Sequence, residues 1–229
     1  MKPRHLKLSL GLGVVAPVLR EVVIYGLGAA TPGYSAARDF LSELGALGAP
    51  YRIPMNILGI GLIGIMMVSA SPGLWAVGRG SLGGRAAAVL VGISGVAFVF
   101  VASFPCDPGC STTAMGPRMI IHLLAGFLAM GALVLAATAF GVSRIRQRGR
   151  SALGWVSVTL GLSGTAAYAL LALYAADLTH PGMVQRIVQG TGDLWLLLAG
   201  IASLQTVSKS SLERPDRAAH AVASRPGGR

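Results

Sequence analysis

Residues 104–110 read FPCDPGC and hold both cysteines of the chain. Cys106 and Cys110 stand four positions apart with Pro108 and Gly109 between them, residues that turn a chain. A disulfide closes there if the α-carbons come within about 7 Å, and that bond is the expected state. The spacing is not Cys-x-x-Cys, so thioredoxin-like exchange gets little support. The alternative is a metal site. Zinc takes four soft or borderline ligands, and Cys106, Cys110, His122 and His180 supply those types, with Asp107 as an oxygen donor. His122 is also a candidate acid or base, because its unperturbed pKa lies near neutrality. Ser111, Thr112 and Thr113 follow the second cysteine, yet nothing in their spacing singles out a nucleophile, and no catalytic residue is assigned.

Other polar residues matter for where they fall. Arg20 and Glu21 interrupt a long apolar run near its middle. An arginine at that depth of a bilayer costs about 2.5 to 3.5 kcal/mol on the lenient insertion scale, so it needs a partner or a wet cavity. Neighbours on a helix point about 100 degrees apart, so the two are a poor pair for each other and each seeks groups on other helices, with Ser69, Ser94, Ser163 and Thr165 as candidates. Glu43, Asp107 and Arg186 lie in or beside connecting segments on one side of the chain. Together with His122, Arg20 and Glu21 they are the candidate ligand-binding residues, and the disulfide is assigned to Cys106 and Cys110.

The elements that must position these groups are membrane helices. Hydrophobic residues make up 53% of the chain and charged residues 12%, beside 32 glycines, a mixture from which a water-exposed surface could hardly be built. Six runs are long enough for a hydrocarbon core that takes roughly 20 apolar residues: Leu8 to Ala30, Met55 to Val77, Ala86 to Phe104, Met119 to Ser143, Ala152 to Ala175, and Gly192 to Val207 with slack at either end. They are continuous, which excludes the short alternating strands of a membrane barrel. The expected fold is all-α, a compact bundle of six transmembrane helices in the cell membrane. Residues 1–207 form the bundle and 208–229 a disordered basic tail. Frequent glycine within the runs suits close helix contact.

The net charge of +11 does not point to nucleic acid, since the basic residues sit in islands between apolar runs with no interleaved aromatics. Membrane lipids are the expected partners. Lys2, Arg4 and Lys7, then Arg79 and Arg85, then RIRQRGR fall on one side of the six crossings. Arg38, Arg52, Arg118 and Arg186 fall on the other, with Asp39, Glu43, Asp107, Asp177 and Asp193. The imbalance predicts that both termini are cytoplasmic and that FPCDPGC faces outward, where disulfides persist. The first run resembles a secretory signal at its start, but it resumes beyond Glu21 to full crossing length and is expected to be retained. In the first outward connection, SAARDFLSELG reads as a short amphipathic helix begun at Ser35 and ended at Gly45.

These landmarks resemble the membrane family catalogued as domain of unknown function 998. The resemblance runs from about Leu10 to Val207. It rests on LSELGALGAP, on Asn56, on FPCDPG, on His122 within the fourth run and on QRI at Gln185 to Ile187. The matching positions are Ser42, Glu43, Gly45, Pro50, Asn56, Phe104, Pro105, Asp107, His122, Gln185 and Arg186. It implies six membrane helices, an outward pocket and no particular activity, with Asp107 more central to the pattern than the cysteines. No phosphate loop, helical zinc-protease pair or histidine pair placed for haem is present, so no cofactor is expected. The functional expectation is an outward pocket for a lipid or other amphipathic small molecule. A small transporter, a metal-dependent or acid/base membrane enzyme and a structural or assembly protein are the alternatives.

Overall fold

Each apolar run forms a helix, and the polar residues that separate the runs start and stop them. The structure, a computed structural model, describes residues 1–112, 115–149, 151–175 and 177–223, with side chains except those of Arg148 and 210–223. Helix α1 spans Pro3–Ala30, α2 Arg52–Gly78, α3 Leu82–Ser103, α4 Pro117–Arg148, α5 Ala152–Tyr174 and α6 Pro181–Ala223. All six are long and apolar enough to cross a membrane, α6 by its portion Pro181–Lys209. Proline opens α1, α4 and α6, where a missing N–H costs nothing. Serine hydroxyls cap α3 and α5: Ser81 accepts from the Gly84 N–H at 3.0 Å and Ser151 from that of Gly154 at 3.2 Å.

Consecutive helices pack on one another, and α6 closes the ring against α1 while also touching α4. Short connections make the neighbours antiparallel. One end of the bundle carries the connections 31–51, 104–116 and 175–180 and is called the disulfide end below. The arginine end carries 79–81 and 149–151. The core runs the length of the bundle through Leu10, Met67, Val91, Leu133, Trp195 and Leu196. Large apolar side chains such as Val22, Leu124 and Leu173 cover the outside, as lipid contact requires.

Small residues set the closest approaches. A Cβ on Gly64 of α2 would lie 2.5 Å from the Gly95 carbonyl of α3, and one on Gly95 would lie 2.6 Å from that of Gly64. Proline inside a helix is accommodated by a neighbour. Pro72 lies within α2, and there the Ser9 hydroxyl of α1 accepts from the Gly73 N–H at 3.0 Å and donates to the Ser69 carbonyl at 2.6 Å. A borrowed side chain thus bridges the rung that the proline disturbs.

Two elements depart from the sequence reading. Helix α6 begins at Pro181, well before Gly192, because Gln185, Arg186 and Gln189 all find protein partners and so tolerate the helix. Its backbone is described as far as Ala223, and residues 224–229 of the expected tail lie outside the described residues. The amphipathic helix expected at 35–45 is reduced to a 3-10 turn, Leu41–Gly45. Phe40 is extended and its N–H goes to the Glu43 carboxylate at 2.8 Å, so a helix across 35–45 is interrupted there.

Candidate functional site

At the disulfide end Asp107, Pro108 and Gly109 turn the chain, with Gly109 at φ +68° and Cys110 at +47°. A disulfide joins Cys106 to Cys110 across this turn, their α-carbons 5.1 Å apart. Both sulfurs are buried. With its sulfur bonded Cys106 has no S–H, so its 3.5 Å approach to the Ser42 carbonyl is a contact only; the Ser42 hydroxyl donates to Cys110 Sγ at 3.2 Å. His122, one turn into α4, is buried beside them, and one donor atom from each of the three residues lies within 4.8 Å of the others. Its Nδ1 is 2.8 Å from the Phe104 carbonyl. A carbonyl only accepts, so in the neutral ring Nδ1 carries the hydrogen and Nε2 keeps the lone pair. His180 is exposed before α6 and stands outside this cluster. Asp107 pairs with Arg118 at the surface.

The connection 31–51 lies across the same end, held by side chains of α2 and α6. Gln185 accepts the Leu41 N–H at 2.6 Å. Arg186 donates to the Ala36 carbonyl, the Asp39 carbonyl and the Tyr34 hydroxyl, and its guanidinium sits over the Tyr34 ring. Asn56 donates to the Gly45 carbonyl at 2.7 Å, and a Cβ on Gly45 would lie 2.6 Å from the Asn56 amide oxygen, so a larger residue there would push the amide from its place. Glu43 accepts the Phe40 N–H at 2.8 Å. Its carboxyl is held above the usual carboxylate range by partial burial, with the Phe40 hydrogen bond opposing and Asp39 adding. Burial likewise raises the Tyr34 phenol despite Arg186.

Beneath this connection lies a cavity of about 390 Å³, within the range of small-molecule pockets. Its roof is Phe40, Leu41 and Ser42, and Cys110, Thr112 and His122 line its upper wall. Met55, Gly59 and Ile60 come from the π-helical stretch Met55–Gly61 that opens α2, a widening that often accompanies functional sites. Between α4 and α5 the wall includes Phe127, Met130 and Leu173; Leu173 is 71% exposed, so the cavity reaches the lipid-facing surface there.

Arg20 forms the floor with Gln189. It is 2% exposed and lies ten residues before the end of α1 at Ala30, about 15 Å at helical rise. One side of its guanidinium makes an ion pair with Asp193 of α6, whose other oxygen accepts from Gln189 at 3.1 Å. The ring of Phe98 lies 4.6 Å away. Glu21 is beside Asp193 and does not line the cavity. Among the described residues, Nε and Nη1 of Arg20 are buried with no hydrogen-bond partner.

Residues 14–202 match a family model described as protein of unknown function, DUF998. The chain belongs to the DUF998 family. No curated protein and no solved structure matches it. It is a multi-pass protein of the cell membrane.

Within the DUF998 landmarks, Glu43, Gly45, Asn56, Gln185 and Arg186 all fasten the 31–51 connection over the cavity. Of the six residues expected to bind a ligand, Arg20 and His122 line it. Glu43 and Arg186 hold its roof, Asp107 is tied to Arg118, and Glu21 sits beside Asp193 outside the lining. The sequence reading missed Asp193 and Gln189. It counted Asp193, one residue into the sixth run, with the outward charges and proposed serines and threonines as partners for Arg20; Ser94 instead donates to the Ala129 carbonyl at 2.7 Å. The i, i+4 spacing of Gln189 and Asp193 before an apolar run was the available signal.

Proposed function

We propose that this DUF998 chain is a membrane enzyme of the metal-dependent type, acting on an amphipathic molecule held in the cavity. The observation that carries the reading is the Cys106, Cys110 and His122 cluster, two of whose members line the cavity wall. With the sulfurs reduced to thiolates, two sulfurs and the Nε2 lone pair of His122 offer three ligands to zinc. Three protein ligands and one open position are the pattern of catalytic rather than structural zinc, and the open position would face the substrate. The Phe104 carbonyl on Nδ1 supplies the outer-shell partner that such histidines need, and the Ser42 hydroxyl supplies a donor to sulfur. The ion would act as a Lewis acid or lower the pKa of a bound water.

The test is metal content. Purified protein is opened with a phosphine reductant, loaded with cobalt(II) and desalted. One cobalt per chain with thiolate charge-transfer absorption is expected, lost in Cys106→Ser, Cys110→Ser and His122→Ala. Reduced wild-type protein that retains no metal sinks the reading.

A second reading is favoured by the disulfide itself. While the sulfurs are joined neither is a thiolate ligand, and the site reduces to an outward-facing pocket that binds a lipid or similar amphiphile without reaction. The apolar walls and the opening between α4 and α5 support that occupant. Native lipid co-purifying with the oxidised, metal-free protein, and lost when Leu171→Trp fills the pocket, is the expected result for it.

A further inference from the structure

We infer that the cavity takes an acyl-type amphiphile whose uncharged oxygen, an ester or amide carbonyl, accepts hydrogen bonds from Arg20 at the floor. This rests on the reading of the cavity as a binding pocket. A guanidinium carries five N–H donors and cannot shed its charge, so every buried donor without an acceptor carries a desolvation cost. Asp193 and the Phe98 ring engage part of Arg20, while Nε and Nη1 are buried and unpartnered among the described residues, in a side chain 2% exposed that lines the cavity. The Gln189 side chain lines the same floor. A ligand bearing an acceptor oxygen completes this set.

The charges decide which oxygen. Arg20 is balanced by Asp193, and the Glu21 carboxyl lies beside Asp193 on the acidic side of the cluster. Arg186 is committed to the roof and its nearest carbonyls. A second full negative charge at the floor would therefore meet no free cation, whereas a carbonyl asks only for the donors that Arg20 has left over. Above the floor Ile24, Phe98, Val101 and Met130 present hydrocarbon to the rest of the molecule.

The full chain, purified in an alkyl maltoside with its disulfide intact, is titrated by native mass spectrometry with methyl laurate, laurate and tridecane. Methyl laurate is expected to bind about tenfold or more tightly than tridecane, because a donor site rejects a ligand that leaves it unpaired. In the double variant Arg20→Met with Asp193→Leu, which removes both charges together, the ester and the alkane should bind equally. Equal binding of the two to the wild-type protein overturns the inference and leaves the pocket standing, and this comparison needs no variant to fold. Tighter binding of laurate than of its ester also overturns it, by assigning an anion site. Failure of all three probes removes the pocket reading itself, and the inference with it.

Discussion

Arg20 is the residue whose placement constrains the rest most strongly, since a charge that deep survives only with Asp193 opposite it. Removing one partner of a buried pair strands the other, at a cost of about 3 to 5 kcal/mol. Arg20→Met and Asp193→Asn should each lower the thermal midpoint sharply in micelles, and the double Arg20→Met, Asp193→Leu should recover most of the loss. Additive losses would show that the two do not act as a pair. Glu43 tests the roof. Its carboxyl is raised above its ordinary value of 4.5 by burial, so the contribution of the protonated form is fully present below 4.5 and is lost as pH rises through the folded value. Glu43→Gln keeps the acceptor for Phe40 and removes the charge. The stability of wild type relative to Glu43→Gln should therefore rise on acidification from neutral pH to below 4.5, and Glu43→Ala should lose about 1 kcal/mol at either pH. At this scale the sequence exposed the anomaly at Arg20 but not its partner. Asp193 lies 173 positions away, and only the closing of α6 on α1 brings it near.

Among the elements, the helices and most of their limits were legible, down to the end of α1 at Ala30 and the start of α5 at Ala152, and the start of α6 was not. Runs of apolar residues dictate the six helices because backbone groups in lipid must bond within their own segment. The start of α6 was hidden because Gln185, Arg186 and Gln189 read as loop chemistry, and what admits them to a helix is tertiary partners that no local pattern reveals. The 3-10 turn at Leu41–Gly45 was misread for a related reason, since Arg186 takes the Ala36 and Asp39 carbonyls and Glu43 the Phe40 N–H, backbone groups that a helix would have used. The contact of α2 with α3 gives a test at this scale. Replacing an interior helical glycine by alanine ordinarily stabilises by about 1 kcal/mol. At Gly64 the added methyl would lie 2.5 Å from the Gly95 carbonyl, so Gly64→Ala should instead lower the melting temperature by pushing α2 from α3. Ser9→Ala should destabilise by about 1 to 3 kcal/mol, because it removes both the acceptor for Gly73 and the donor to Ser69. A neutral result at Ser9 would mean that the disturbed rung at Pro72 satisfies itself.

For the whole molecule, composition led directly to the membrane, and the remaining question is which end faces which compartment. We expect the arginine end in the cytoplasm, on two physical arguments. Basic residues crowd the arginine end in Lys2, Arg4, Lys7, Arg79, Arg85 and the RIRQRGR segment, and short basic connections stay cytoplasmic. At the opposite end Arg118 is paired with Asp107 and Arg186 is committed to the roof, so few free cations resist translocation there. That end also carries the Cys106–Cys110 bond, which persists outside the cytosol. Placing Asp193 within the bundle takes one acidic residue from the outer ledger without altering the basic asymmetry on which orientation depends. The prediction concerns single cysteines introduced at exposed positions in a Cys106→Ser, Cys110→Ser background. His180→Cys, at the disulfide end, should react with a membrane-impermeant maleimide in intact cells. Arg146→Cys, exposed at the arginine end, should react only after permeabilisation. The reverse pattern would put the disulfide in a reducing compartment. The sulfurs would then rest as thiols, and the Cys106, Cys110 and His122 cluster would be poised for metal without any external reductant.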